Sequence, residues 1–379
     1  MFPFANGFQK TLDEALSMNK KLIQGFNNLT SIKEIDIGTT PKELVYEEDM
    51  MKLYHYKPTV KNPHNIPVLV SYALVNRQYM LDLQEDRSIV KNWLDAGLDV
   101  YMIDWGYPDH VNKYLTMEDY IDGYLDNAVD FLRKSHNLDK INLLGICQGA
   151  TMATIYTALN PDKIKNLVSI VMPFDFSTND GLLFSWSNNM DIDLMIKSYN
   201  GLVPGDTMNS GFNMLKPLQL SVDKYLDFIN KLDDKEAILD FLRMEQWIYD
   251  SPNQAGPMLS KFIKDLYQDN KLMSNELELG GRVVNIKNID MPVLCILGQK
   301  DHLVPPASTR PFVDSITSTD KTLLEYPVGH IGLFVSSKAQ KEVAPTIANW
   351  LKDRGEKAPA KVAKASSSAK KPSTDSKEN

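Results

Sequence analysis

"INLLGICQGATMATIYTALN", residues 141–160, decides how this chain folds. It opens on an apolar run of strand length and turns through Gly145-Ile146-Cys147-Gln148-Gly149. It continues with apolar residues at helical spacing. A cysteine between two glycines is either a small core side chain or a nucleophile on display. The pattern G-x-nucleophile-x-G between a strand and a helix favours the second, because it is the pattern of a nucleophile elbow. Such a turn is tight, so the positions two residues to either side must be small, here Gly145 and Gly149. The side chain then stands above the sheet, and the N-terminus of the next helix aims partial positive charge at it, which stabilises a thiolate.

An elbow of this kind takes its partners in the order nucleophile, acid, histidine. Asp301 follows the apolar strand "VLCILGQKD" and His330 ends "EYPVGH", so both stand where that order requires them. The triad Cys147, Asp301 and His330 predicts an α/β-hydrolase fold. His302, beside Asp301, reads as a loop bystander, since one triad needs one imidazole. His55, His64, His110 and His136 lie in polar segments without a matching acid, and Cys295 sits inside an apolar strand as packing. The oxyanion hole is expected from backbone N–H groups, one from Gln148 and one from the loop "SYALVNRQYM" after the first core strand, at Leu74 or Val75.

The surrounding chain fits that fold. From residue 67, strands ("IPVLVSYAL", "LDVYMID", "INLLGI", "LVSIVMP") alternate with helices ("DRSIVKNWLDAG", "MEDYIDGYLDNAVDFLRKSH"), the mark of a mostly parallel sheet covered on both faces. Residues 41–176 are therefore the first part of an α/β core and residues 291–354 the second. Between them, residues 177–290 read as a helical cap insertion over the ligand crevice. Residues 1–40 form an N-terminal amphipathic helical segment, with Phe4, Phe8, Leu12, Leu16, Leu22, Ile23, Phe26 and Leu29 at helical spacing. It is expected to pack on its own domain or on a partner. Residues 355–379, rich in Lys, Ala, Ser and Pro, are expected to be a disordered basic tail.

Bulk composition excludes several classes. The 379 residues are 43% apolar and 24% charged, ordinary for a globular enzyme, and the net charge of -8 argues against nucleic acid. Two cysteines make no disulfide framework, and the 6 histidines show no metal-ligand spacing, so no metal and no cofactor are expected. No apolar run reaches the roughly 18 residues of a transmembrane span, and no secretion signal is evident, so the expected location is the cytoplasm.

Several long blocks resemble one family, the polyhydroxyalkanoate synthases, and within it the catalytic subunit of the short, two-subunit kind (class III/IV-like). These are "YALVNRQYMLDLQEDRSIVKNWLDAGLDVYMIDWGYPD", "LLGICQGA" with its lipase-like box, "QWIYDSPNQAG", "ILGQKDHLVPP" and "GHIGLFVSSKAQKEVAPTIANWL". The likeness runs from about residue 40 to 353, with Ala150 standing where many members have a second glycine. The resemblance implies an acyltransferase that polymerises (R)-3-hydroxyacyl-CoA, typically 3-hydroxybutyryl-CoA, with release of CoA, at the surface of polyester granules. By motif, Cys147 would carry the acyl chain, His330 would deprotonate the thiol and Asp301 would assist the incoming 3-hydroxyl. A second, non-catalytic subunit and a homodimer or larger assembly are also implied. Elbow and triad alone would fit a cysteine-dependent hydrolase or thioesterase equally, and the long matches outside the elbow discriminate. A granule-coating protein without activity would not need all three triad residues.

Overall fold

Strands buried on both faces explain why so much of this sequence reads as unbroken apolar runs. In the computed structural model, which describes Ser17, residues 20–218 and residues 222–355, one eight-stranded sheet organises the chain. Its strands are β1 (Lys42–Glu48), β2 (Met51–Tyr56), β3 (Val68–Ser71), β4 (Val100–Asp104), β5 (Ile141–Ile146), β6 (Ile164–Ile170), β7 (Val293–Gly298) and β8 (Lys321–Tyr326). They lie in the order β1-β2-β4-β3-β5-β6-β7-β8. Every pairing from β4 to β8 is parallel, and β2 alone runs against its neighbours β1 and β4. Along β5, Leu143 enters the core on one face while Leu144 and Ile146 enter the core on the other. Val68, Leu69 and Val70 of β3 alternate in the same way. With helices on both faces no strand has a wet side, so no polar alternation is needed.

Three crossover helices place the strands. The first, α1 (Ile89–Asp95), starts at Ser88, whose hydroxyl accepts the Lys91 N–H at 2.9 Å and caps the helix. The second, α2 (Asp126–His136), ends at Asn137 in the left-handed region, with φ 53°. The third, α3 (Gln148–Leu159), follows Cys147 and is buried along almost its whole length, consistent with its lack of a polar face.

The hairpin of β1 and β2 is not visible in the sequence reading, which starts the strand pattern at residue 67. Edge strand β1 is largely solvent-facing and carries Lys42, Glu43, Glu47 and Glu48, so no apolar run marks it. Between β6 and β7 the chain is mainly helical and includes α4 (Lys235–Tyr249). Its strands are two-residue pairs, Leu202–Val203 with Gln254–Ala255 and Glu278–Leu279 with Arg282–Val283, outside the main sheet.

Residues 20–31 are helical. This helix meets the body through one side: Asn28 Nδ2 donates to the Leu232 carbonyl at 3.1 Å, and Gly25 lies against the Leu232 side chain. Leu22, Ile23 and Phe26 are exposed, so among the described residues that apolar stripe is not packed on this chain. Phe4, Phe8, Leu12 and Leu16 of the same expected helix lie outside the described residues, as does the basic tail after Gly355. No described helix is long and apolar enough to cross a membrane.

Candidate active site

Cys147 occupies a backbone conformation that a non-glycine residue rarely adopts, φ 54° and ψ −126°. Such a conformation is costly and is held only because the surroundings dictate it. They do so through the two glycines. A Cβ on Gly145 would overlap the Ala150 backbone, and a Cβ on Gly149 would overlap the carbonyls of Ser71 and Tyr72. Close packing of α3 on β3 and β5 therefore requires both glycines, and the strained turn lifts Cys147 to the carboxyl end of the sheet.

Asp301 and His330 come from the loops after β7 and β8 and meet at 2.6 Å, Asp301 Oδ2 to His330 Nδ1. Asp301 Oδ1 accepts the backbone N–H groups of Leu303 at 2.8 Å and Val304 at 2.9 Å, so both carboxylate oxygens are engaged. Burial works against a charged His330, but the charges of Asp301 and Cys147 and hydrogen bonds to both outweigh it and raise its pKa to about 10. With Nδ1 committed to Asp301, Nε2 is the ring nitrogen that faces Cys147.

Cys147 and His330 open onto a cavity of about 700 Å³. Its wall is mainly apolar and comes largely from the insertion, including Leu183, Trp186, Phe212, Met244 and Phe262. His302, set aside in the sequence reading, also lies on this wall, half-buried. Burial first and then Lys216 hold its pKa below the usual histidine value, so it is neutral at pH 7. His55 and His136 are elsewhere: both gather around Asp99, with His55 Nε2 2.7 Å from Asp99 Oδ1, at the amino end of the parallel strands. Cys295 is fully buried, and burial together with Glu325 pushes its thiol up to about 12. Its place in the sheet is a packing one.

The expected oxyanion donors need one correction. The Leu74 N–H donates to Gln148 Oε1 at 3.0 Å and is not free for a ligand. On the other side of the same residue, the Leu74 carbonyl accepts Gln254 Nε2 at 3.0 Å. Leu74 is clamped between the elbow and the insertion, and the next residue, Val75, lines the cavity with its N–H unpartnered among the described residues. Gln148 supplies a first-turn N–H without an intrahelical acceptor. The side chain of Gln148 thus has a positioning task that its place in the motif does not announce.

More ties run from the insertion to the loop after β3. Trp247 Nε1 donates to the Arg77 carbonyl at 2.8 Å, Asn76 Nδ2 to Ser251 Oγ at 2.9 Å, and Tyr79 Oη to Asp250 Oδ2 at 2.8 Å. Arg77 itself is locked in a buried ion pair with Asp104 at 2.7 Å. The insertion therefore holds the loop that carries Val75.

Comparison with known proteins agrees with this architecture. Residues 67–337 match the model of the alpha/beta hydrolase fold, and residues 4–94 match that of the poly-beta-hydroxybutyrate polymerase (PhaC) N-terminus. The chain is 49% identical over 356 residues to a poly(3-hydroxyalkanoate) polymerase subunit PhaC of Allochromatium vinosum, covering 93% of this chain and 100% of that one. This chain belongs to the poly(3-hydroxyalkanoate) polymerases. It matches the short, class III type of the catalytic subunit and is an acyltransferase-type enzyme. The corresponding polymerase subunit of a Synechocystis species is 48% identical, over 93% of this chain and 96% of its own length. A monoglyceride lipase of Saccharomyces cerevisiae has a TM-score of 0.54 at 15% identity, covering 85% of this chain and 98% of that one, a likeness of fold alone.

Proposed function

We propose that this polymerase uses (R)-3-hydroxyacyl-CoA, with 3-hydroxybutyryl-CoA as the usual substrate, and carries the growing polyester as a thioester on Cys147. The observation that supports this most directly is a strained cysteine turn facing a histidine–carboxylate pair at the wall of an apolar cavity. In the first step the Cys147 sulfur, its proton held on His330 Nε2, attacks the thioester carbonyl, the bond from that carbon to the CoA sulfur breaks, and CoA leaves with that proton. Gln148 N–H and Val75 N–H stabilise the oxyanion of the tetrahedral intermediate. In the growth step a 3-hydroxyl gives its proton to His330 and attacks the acyl-Cys147 carbonyl. The oxygen ester forms, the sulfur–carbon bond breaks, and the proton returns to sulfur.

The chemistry accounts for a cysteine at this turn. Transfer from the sulfur of CoA to the sulfur of Cys147 is nearly thermoneutral and keeps the acyl group activated, so ester formation then runs downhill. A serine would discard that drive at the first step. The apolar wall limits water, which would otherwise end the chain. Asp301 works through His330, because both of its oxygens are already engaged. The exposed stripe of Leu22, Ile23 and Phe26 supports a contact with a second synthase subunit, and a cytoplasmic location at granule surfaces accords with the substrate and product. Self-association into a homodimer or larger assembly belongs to the same reading.

The test is to supply 3-hydroxybutyryl-CoA, with and without a partner subunit, and to follow CoA release and insoluble polymer. Cys147→Ala should abolish both while leaving the circular-dichroism spectrum unchanged. Substantial polymer from that variant would overturn the assignment.

A further inference from the structure

The chemistry above leaves the hydroxyls of two buried tyrosines without a task. Tyr72 directly follows β3, and Tyr267 lies in the π-helical turn Phe262–Gln268 of the insertion. They are 4% and 7% exposed, and both line the cavity with Cys147 and His330. The Tyr267 ring is fixed by Phe176 and Phe184, with centroids 4.6 Å and 5.1 Å away. Tyr72 is fixed through its backbone, whose carbonyl accepts Trp105 Nε1 at 2.9 Å.

Neither hydroxyl has a hydrogen-bond partner among the described residues. Among the other buried tyrosines, Tyr156 Oη donates to Asp126 at 2.6 Å and Tyr124 Oη to Asp49 at 2.9 Å, while Tyr56 and Tyr120 also lack a partner but lie away from the cavity. Burial raises the pKa of both phenols, and the only further influence on either is the charge of Cys147. Both are therefore protonated donors near the nucleophile. Neither hydroxyl is among the fully buried polar atoms left without a partner, so each is open to the apolar cavity, and a substrate that supplies an acceptor there gains from it.

An acyl group on Cys147 offers two oxygens close to the sulfur. The thioester carbonyl has backbone donors in Gln148 and Val75. The oxygen on C3 has none of these, whether it is a free hydroxyl or already esterified in the chain. We propose that Tyr72 and Tyr267 recognise that 3-oxygen, so that the site selects 3-hydroxyacyl over unsubstituted acyl thioesters. This rests on the acyl-transfer reading above and extends it to specificity. A site built to hydrogen-bond an oxygen rejects the analogue that lacks it, because its buried donors are left unpaired.

The experiment compares Tyr72→Phe, Tyr267→Phe and the double variant with the unaltered enzyme. Acylation of Cys147 is measured by rapid quench and mass spectrometry with 3-hydroxybutyryl-CoA and with butyryl-CoA, alongside the melting temperature. At least one single variant should lose about tenfold or more with 3-hydroxybutyryl-CoA while butyryl-CoA changes by less than about twofold. The melting temperature should not fall, since no protein partner is lost. Equal losses with both substrates would assign the phenols to the thiolate or the oxyanion and overturn the proposal, and so would no loss with either. Absence of any acylation of the unaltered enzyme by 3-hydroxybutyryl-CoA would instead remove the acyl-transfer reading, and this inference with it.

Discussion

Replacing Asp301 by Asn should separate the two half-reactions proposed for this site. The amide is isosteric, and its Oδ1 can still accept the Leu303 and Val304 N–H groups, so the loop should keep its shape. That orientation leaves Nδ2, a donor, against His330 Nδ1 in place of the carboxylate oxygen at 2.6 Å. The imidazole must then accept at Nδ1 and carry its proton on Nε2, the nitrogen that faces Cys147, so it can no longer take a proton there. Loss of a general base costs about 10²–10⁴-fold, so growth by a hydroxyl whose pKa is far above 7 should slow by about 10³-fold, or about 4 kcal/mol. Acylation should suffer less. A thiol gives up its proton far more readily than an alcohol does, so that step should slow by only about tenfold. Rapid-quench measurement of CoA release, with mass spectrometry of acyl-Cys147, reads both steps in one experiment. The variant should show a trappable acyl-enzyme and very little polymer. If acylation and growth fall by the same factor, the division of labour between Cys147 and His330 is wrong.

Gly149→Ala should be more damaging than its one methyl suggests, because the added Cβ meets backbone carbonyls of Ser71 and Tyr72 that cannot rotate away. Overpacking of this kind costs about 1–3 kcal/mol or more, read as a lower urea midpoint with an unchanged m value; a neutral result would contradict the packing of α3 on β3. The raised pKa of His330 makes a second test. Relative to 6.5 for the unfolded chain, a folded value near 10 means that its contribution to stability is full below pH 6.5 and declines as pH rises, being lost through pH 10. Removing the thiol in Cys147→Ala takes away one of the two charges that hold the proton, so NMR titration of the His330 imidazole should give a lower pKa than in the unaltered protein. An unchanged value would show that Asp301 alone sets it.

The grouping of Cys147, Asp301 and His330 was legible in the sequence because each sits at a position marked by its own neighbours. The cysteine stands between glycines after a strand, Asp301 after "VLCILGQK", and His330 after "TLLEYPVG". Hairpin β1–β2 was not legible, because a charged edge strand is stabilised by its pairing with β2 and carries no apolar signature of its own. Tyr72 lay within a quoted loop and Tyr267 within a helical pattern, and neither carried a sign that it would line the cavity with Cys147.

By itself the sequence determined the elbow, the chain order of the triad and the alternation that makes a parallel sheet. Those features depend on backbone sterics and side-chain burial within a few residues, and a local string encodes them. Which N–H groups remain free for an oxyanion was decided only by tertiary contacts. Leu74 N–H is taken by Gln148 and Leu74 C=O by Gln254, residues brought together from three separate segments. The cavity has the same origin, since helices of the insertion look amphipathic wherever their apolar sides point. Only when they close over the carboxyl ends of β3, β5 and β8 do those sides become the wall facing Cys147. Hydrogen bonds and packing act at a few ångströms in space regardless of separation along the chain, and for that reason the site's order was readable and its polarity was not.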